Sequence, residues 1–133
     1  MKFKKPHMKE QFDACPAKLL EVCEAFNQLS LKEGIEPVVT RVTDAVAGES
    51  GVHLQHRAVD FRNEFFDGKE KRWLYPIETV DYIVDTINKK FPRKDGKPVA
   101  LHHSFQNGAF HFHLQIPIVW LTKEEFKRLA KKS

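Results

Sequence analysis

Residues 99–116 read VALHHSFQNGAFHFHLQI, and the pairing register within this run decides the fold. Asn107-Gly108 between two runs rich in β-formers is the strongest short-range signal for a hairpin. A two-residue turn there sets Gln106 against Ala109, Phe105 against Phe110, Ser104 against His111, His103 against Phe112 and His102 against His113. Side chains alternate between the two faces of a strand, and paired residues share a face. The expected register therefore gathers His102, Ser104, His111 and His113 on one face. It turns His103, Phe105, Phe110 and Phe112 towards the core.

Working outward, LLEVCEAFNQLSLKEG (19–34) carries Leu19, Val22, Cys23, Phe26 and Leu29 at helical spacing, with Asp13 as N-cap and Gly34 as stop. IEPVVTRVT (35–43) is rich in β-branched residues and predicts a strand, tempered by Pro37. DAVAGESGVH (44–53) predicts a loop, and RAVDF (57–61) alternates as a short strand. A second amphipathic helix is expected after Pro76, with Ile77, Val80, Ile83, Val84, Ile87 and Phe91 on one face. FPRKDGKP (91–98) predicts a loop, and Thr122 with Glu125 forms a capping box opening a short basic helix. Residues 1–12 are expected as a flexible N-terminal arm ahead of one domain over 13–133. Helices and short strands with a late hairpin define an α+β class.

A chain of 133 residues is long enough for one domain with a core of its own. No apolar run approaches the roughly 18 residues that a membrane span needs, and the charged start MKFKKPHMKEQFD is not followed by an apolar h-region. Cytoplasmic synthesis without a signal peptide and no membrane insertion are therefore expected. The formal net charge of +4 suits an anionic partner, whether wall polymer, nucleic acid or membrane surface. Much of the surplus lies at the two chain ends. Nucleic acid is disfavoured because Phe105, Phe110 and Phe112 fall on the expected core face rather than among exposed basic residues. Cys15 and Cys23, eight apart in one helical pattern, are about 12 Å apart along a helix and cannot bridge. They read as buried thiols of a reducing compartment.

Six of the seven histidines fall between positions 53 and 113, in two clusters. One is GVHLQHRAVDFR (51–62), with His53, His56 and Asp60; the other is the hairpin face. Two imidazoles and one carboxylate, with an open position for water, is a common composition of a catalytic zinc site. His53, Asp60 and one hairpin histidine supply it.

HLQHRAVD (53–60) resembles the SxHxxGxAxD motif of the M15-type zinc peptidases, the group of D-alanyl-D-alanine carboxypeptidases, phage endolysins and hedgehog-like domains. TRVT (40–43), the following loop and FHFH (110–113) stand in matching order, so the resemblance covers about residues 17–117. It implies a hedgehog/DD-peptidase-like fold with a central antiparallel sheet flanked by helices. The zinc ligands it implies are His53, Asp60 and His113. The implied activity is hydrolysis of peptide bonds in peptidoglycan peptides by zinc-activated water, as in an endolysin or a D,D-carboxypeptidase. The carboxylate that usually acts as base before the third ligand is missing: positions 106–110 hold no acid. His111 is the substitute, with His102 second. Arg41 and Arg57 are candidates to hold a substrate carboxylate, with His56 as a further contact. Gly51 stands where the family has Ser, and His56 replaces the family Gly, which implies a rearranged turn. A monomeric, phage-encoded lysin, released through a holin or carried in a virion, is the expected setting. The alternative is a zinc-binding module of the same fold with weak or no turnover.

Overall fold

The computed structural model describes residues 1–43, 56–104 and 108–130. Its centre is a five-stranded mixed sheet in the order β1-β2-β3-β7-β6. These strands are β1 (Lys2–Phe3), β2 (Val38–Arg41), β3 (Ala58–Arg62), β6 (Ala100–His103) and β7 (His111–Gln115). β1 joins β2 in parallel, and the other pairs are antiparallel. A two-stranded hairpin, β4 (Glu64–Phe66) with β5 (Lys71–Trp73), follows β3. The helices are α1 (His7–Asp13), α2 (Ala17–Lys32), α3 (Ile77–Lys90) and α4 (Lys123–Ala130). The molecule is a small α+β domain.

Alternation along the strands sorts the sheet into two faces. Val39, Val59, Phe61, Ala100, Phe112 and Leu114 form the inner face, and all are buried. The rings of Phe26 on α2, Phe61, Tyr75 and Phe112 meet there at centroid distances of 4.5–5.8 Å. α3 adds Val80, Ile83 and Ile87 to the same core. Burying each large apolar side chain stabilises the fold by roughly 1.5–3 kcal/mol. The opposite face carries Arg41, Asp60, Arg62, His103, His111, His113 and Gln115, as the register requires.

The expected helices form with corrected ends. α2 begins after Pro16, whose fixed φ suits a helix start, and Asp13 is the last residue of α1, paired with Lys9. Gly34 takes φ +74° just beyond the helix and stops it, with Ile35 N–H on the Ser30 carbonyl at 3.0 Å. Ile77 is exposed, at the outer end of the α3 stripe. The capping box forms as expected, Glu125 N–H to Thr122 Oγ1 at 3.1 Å and Thr122 N–H to Glu125 Oε1 at 2.9 Å. Both cysteines are buried and free, and burial pushes the Cys15 thiol up to about 12. Cys15 sits between α1 and α2 rather than on the α2 stripe.

Residues 1–12 are not a loose arm. β1 completes the sheet beside β2, Met8 of α1 is buried, and the Phe3 and Phe12 rings meet edge to face at 5.5 Å. Three apolar side chains in a charged segment suffice to dock it.

The second correction concerns the late hairpin. His103 pairs with His111 and His102 with Phe112, one residue out of the expected register. Positions 104–110 all lie between the last paired residues, so the connection is longer than a two-residue turn; Asn107 itself lies outside the described residues. A slip of one residue turns every side chain of a strand to the opposite face. His103 therefore replaces His102 on the polar face.

Candidate metal centre

Asp60 and His113 face each other across β3 and β7. Both side chains are buried, and His113 Nδ1 lies 2.8 Å from Asp60 Oδ1. The other ring nitrogen, Nε2, lies 3.0 Å from Gln115 Oε1. The Gln115 amide is oriented by its own Nε2, which donates to the Pro98 carbonyl at 3.3 Å. His113 Nε2–H thus donates to Gln115, and Nδ1 points at the carboxylate. A metal-ligating imidazole nearly always holds an outer acceptor on its second nitrogen in this way. The pair brings together one imidazole nitrogen and one carboxylate oxygen, donor types that zinc takes.

His53, the third expected ligand, lies outside the described residues. Among the described residues, no group of three or more His, Cys, Asp or Glu side chains is arranged to hold a metal ion.

Arg41 lies beside the pair. Its Nε and Nη2 donate to Asp60 Oδ2 at 3.1 and 2.9 Å. Arg41 is thus engaged with the carboxylate instead of standing ready for a substrate. Asp60 is divided, with one oxygen on the guanidinium and the other on the imidazole.

His111 lies two residues before His113 on the same face. Its Nδ1–H donates to the Ala109 carbonyl at 3.1 Å, which leaves the lone pair on Nε2. That nitrogen is buried, has no hydrogen-bond partner among the described residues, and lies 3.5 Å from Asp60 Oδ2. An imidazole nitrogen held as an acceptor beside a carboxylate has the arrangement of a general base.

His103 is the residue that the turn-based register missed. Its ring meets those of His111 and His113 at centroid distances of 4.9 and 5.4 Å. Burial holds its pKa below the ordinary value, and the nearby His111 and His113 lower it further against the pull of Asp60. His102 turns instead to the core side, among Trp73, Phe110 and Phe112. Its Nε2 accepts from Asn63 Nδ2 at 2.8 Å, and burial again lowers its pKa. It is a satisfied structural histidine and not a member of the site.

A cavity of about 510 Å³ opens over the polar face. Lys4, Arg41, Asp60, Arg62, Glu64 and His111 are among its lining residues. Glu64 was not singled out from the sequence. It stands in the strand register that continues Asp60 and Arg62, and its Oε1 accepts the Phe110 N–H at 3.0 Å. Arg57 is elsewhere: its Nη1 donates to the Ile116 carbonyl at 2.9 Å, and it lines a separate cavity with Arg93 and Trp120.

His56 stands at a turn. Its φ is +56°, in the left-handed region that favours glycine. The backbone takes a conformation that glycine adopts freely, here with a histidine side chain.

Compared with protein-family models, with curated proteins and with solved structures, the chain matches none. No helix among the described residues is long and apolar enough to cross a membrane.

Proposed function

We propose that the protein is a zinc-dependent peptidase acting on peptide bonds of bacterial cell-wall peptidoglycan. The observation that carries this reading is the polar face itself: Asp60 against His113 at 2.8 Å, with His111 Nε2, which has no hydrogen-bond partner among the described residues, beside them in an open cleft. His53, Asp60 and His113 would hold the metal, His113 through Nδ1. When bound there, zinc supplies a Lewis acid that polarises a carbonyl and brings the pKa of a coordinated water towards neutrality. His111 Nε2 takes the proton of the attacking water and returns it to the leaving amine. Gln115 keeps the His113 ring in one orientation, and Arg41 keeps Asp60 from rotating. His103, held neutral by its surroundings, faces the same space and can accept a hydrogen bond from substrate. The setting that fits is a phage lysin reaching the wall from inside the cell or from a virion.

The reading is tested by metal analysis and by digestion of purified peptidoglycan. The expected protein carries about one zinc, and Asp60→Ala and His113→Ala each lose it. His111→Ala keeps zinc and releases new amino termini on the order of 10²-fold more slowly or worse. A wild-type protein that binds no zinc overturns the reading. A zinc-loaded protein that cleaves nothing supports the alternative, a binding module, which is favoured by the engagement of Asp60 with Arg41.

A further inference from the structure

We infer that the 3₁₀ turn Ile118–Trp120, with the cations around it, is a docking tip that seats the protein on a surface of anionic phospholipid. The turn closes through Trp120 N–H on the Pro117 carbonyl at 3.1 Å and Leu121 N–H on the Ile118 carbonyl at 3.0 Å. Trp120 and Leu121 pack back against the core. The two residues before them are left facing outward: Ile118 is 47% exposed and Val119 84%. Val119 is the most exposed large apolar side chain among the described residues. Pro92, also exposed, borders the same cleft as these two. Apolar residues scattered singly over a surface need no explanation, whereas a contiguous group rimmed by polar residues marks a contact.

The chemistry of the partner follows from what surrounds the tip. A cleft of about 750 Å³ adjoins it, and Arg57, Arg93 and Lys94 line that cleft with a single acid, Asp95. Asp95 is held by Arg93 at 2.6 Å. Lys97 follows on the same loop, its backbone N–H on Asp95 Oδ1 at 3.0 Å. Burial, and then the charge of Arg93, hold the Arg57 pKa below its ordinary value, as expected where cations outnumber the acid between them. An apolar element that enters the boundary between headgroups and acyl chains, with cations reaching the lipid phosphates, is held at a bilayer by both. A tryptophan beside it suits the same boundary. A soluble anionic polymer would leave Val119 in water, and a neutral apolar partner would leave the cations unmatched. The contact is peripheral and needs no spanning helix. The tip lies beyond the Gln115 end of β7, whereas the cleft over Asp60 lies at its His111 end, about 13 Å away along the strand. Docking leaves the candidate metal centre open, and the inference does not rest on the peptidase reading.

The test is co-sedimentation of the full chain with vesicles of phosphatidylcholine alone and of equal parts phosphatidylcholine and phosphatidylglycerol. The wild type is expected to bind the neutral vesicles on the order of a hundredfold more weakly than the anionic ones, about fivefold for each cation in excess. High salt narrows that difference. Val119→Asp lowers binding to anionic vesicles roughly tenfold or more, and Lys94→Gln and Lys97→Gln about fivefold each. All three side chains are exposed, so the melting temperature stays that of the wild type. Tryptophan emission shifts to the blue on anionic vesicles, and the shift persists in Trp73→Phe. Binding to neither vesicle, equal binding to both, or full binding by Val119→Asp overturns the docking tip. So does retention on purified cell walls, through Val119 and Lys94, by a protein that leaves vesicles unbound; that result assigns the surface to a wall polymer. A zinc-free protein that binds anionic vesicles upholds the tip and removes the metallopeptidase reading.

Discussion

On the proposed zinc reading, replacing Gln115 separates the metal ligand, His113, from the residue that aims it. Gln115→Met keeps the length of the side chain and removes the oxygen that accepts His113 Nε2–H at 3.0 Å. It also removes the donor to the Pro98 carbonyl, a longer bond at 3.3 Å. A buried donor left without an acceptor costs about 1–3 kcal/mol. That cost falls on the fold with or without metal, whereas loss of an outer-shell partner lowers metal affinity about tenfold to a hundredfold, the fall expected here on the proposed reading. Gln115→Glu keeps an acceptor and should hold zinc at least as tightly as the wild type. The assay is competition with a chromophoric chelator, together with ¹⁵N shifts of the zinc-bound His113 ring, where Nδ1 should be the metallated nitrogen. A folded Gln115→Met protein with unchanged affinity, or metallation at Nε2, refutes the orientation argument.

Other predictions test the frame around the site. Asn63 is fully buried, accepts the Tyr75 N–H and donates to His102. Asn63→Leu should cost roughly 2 kcal/mol by leaving the Tyr75 N–H unsatisfied, and an unchanged urea midpoint would show that the bond carries no net stability. His102 has a folded pKa below its ordinary value of 6.5, from burial first and then from His111 and His103. Its contribution is complete above pH 6.5 and lost as the pH falls through the folded value. The melting temperature should therefore drop on that acid side, less steeply in His102→Gln. At His56 the left-handed backbone costs a non-glycine residue on the order of 1 kcal/mol. His56→Gly should hold or raise the melting temperature, whereas strain is absent there if it destabilises.

What the sequence revealed depended on how local the deciding physics was. The apolar stripes of α2 and α3, the Gly34 stop and the Thr122–Glu125 box follow from spacing and capping within a few residues and form where expected, whereas the start of α2 moves from Asp13 to Pro16. β2 and β3 were readable from β-branched content and alternation. The site pair was legible because Asp60 and His113 each sit in a short motif, although their contact depends on the β3–β7 pairing. The hairpin register was not. Asn107-Gly108 is a favourable turn, yet the pairing is set by which side chains the core accepts. His102 fits among Trp73, Phe110 and Phe112, with Asn63 to satisfy its nitrogen, and this leaves His103 for the polar face. Asn63 and Trp73 are about 30–40 positions away from His102, beyond any window that a turn motif reads. The N-terminal segment escaped for a similar reason: its charge is visible locally, whereas its partners, Val38 and Val39, are not.

The two arginines expected to hold substrate illustrate why a charge needs its neighbours before it has a role. Arg41 precedes the HLQHRAVD run and Arg57 lies within it, and both were equally good candidates on that ground. In three dimensions Arg41 binds one oxygen of Asp60 through two nitrogens, leaving the other oxygen directed at His113. A carboxylate restrained like this offers a single oxygen to a cation, and rotation to a bidentate mode would break the ion pair. Breaking it is costly because both partners are largely buried, and a buried charge that loses its partner is strongly destabilising. On the proposed reading, Arg41 sets the ligand geometry.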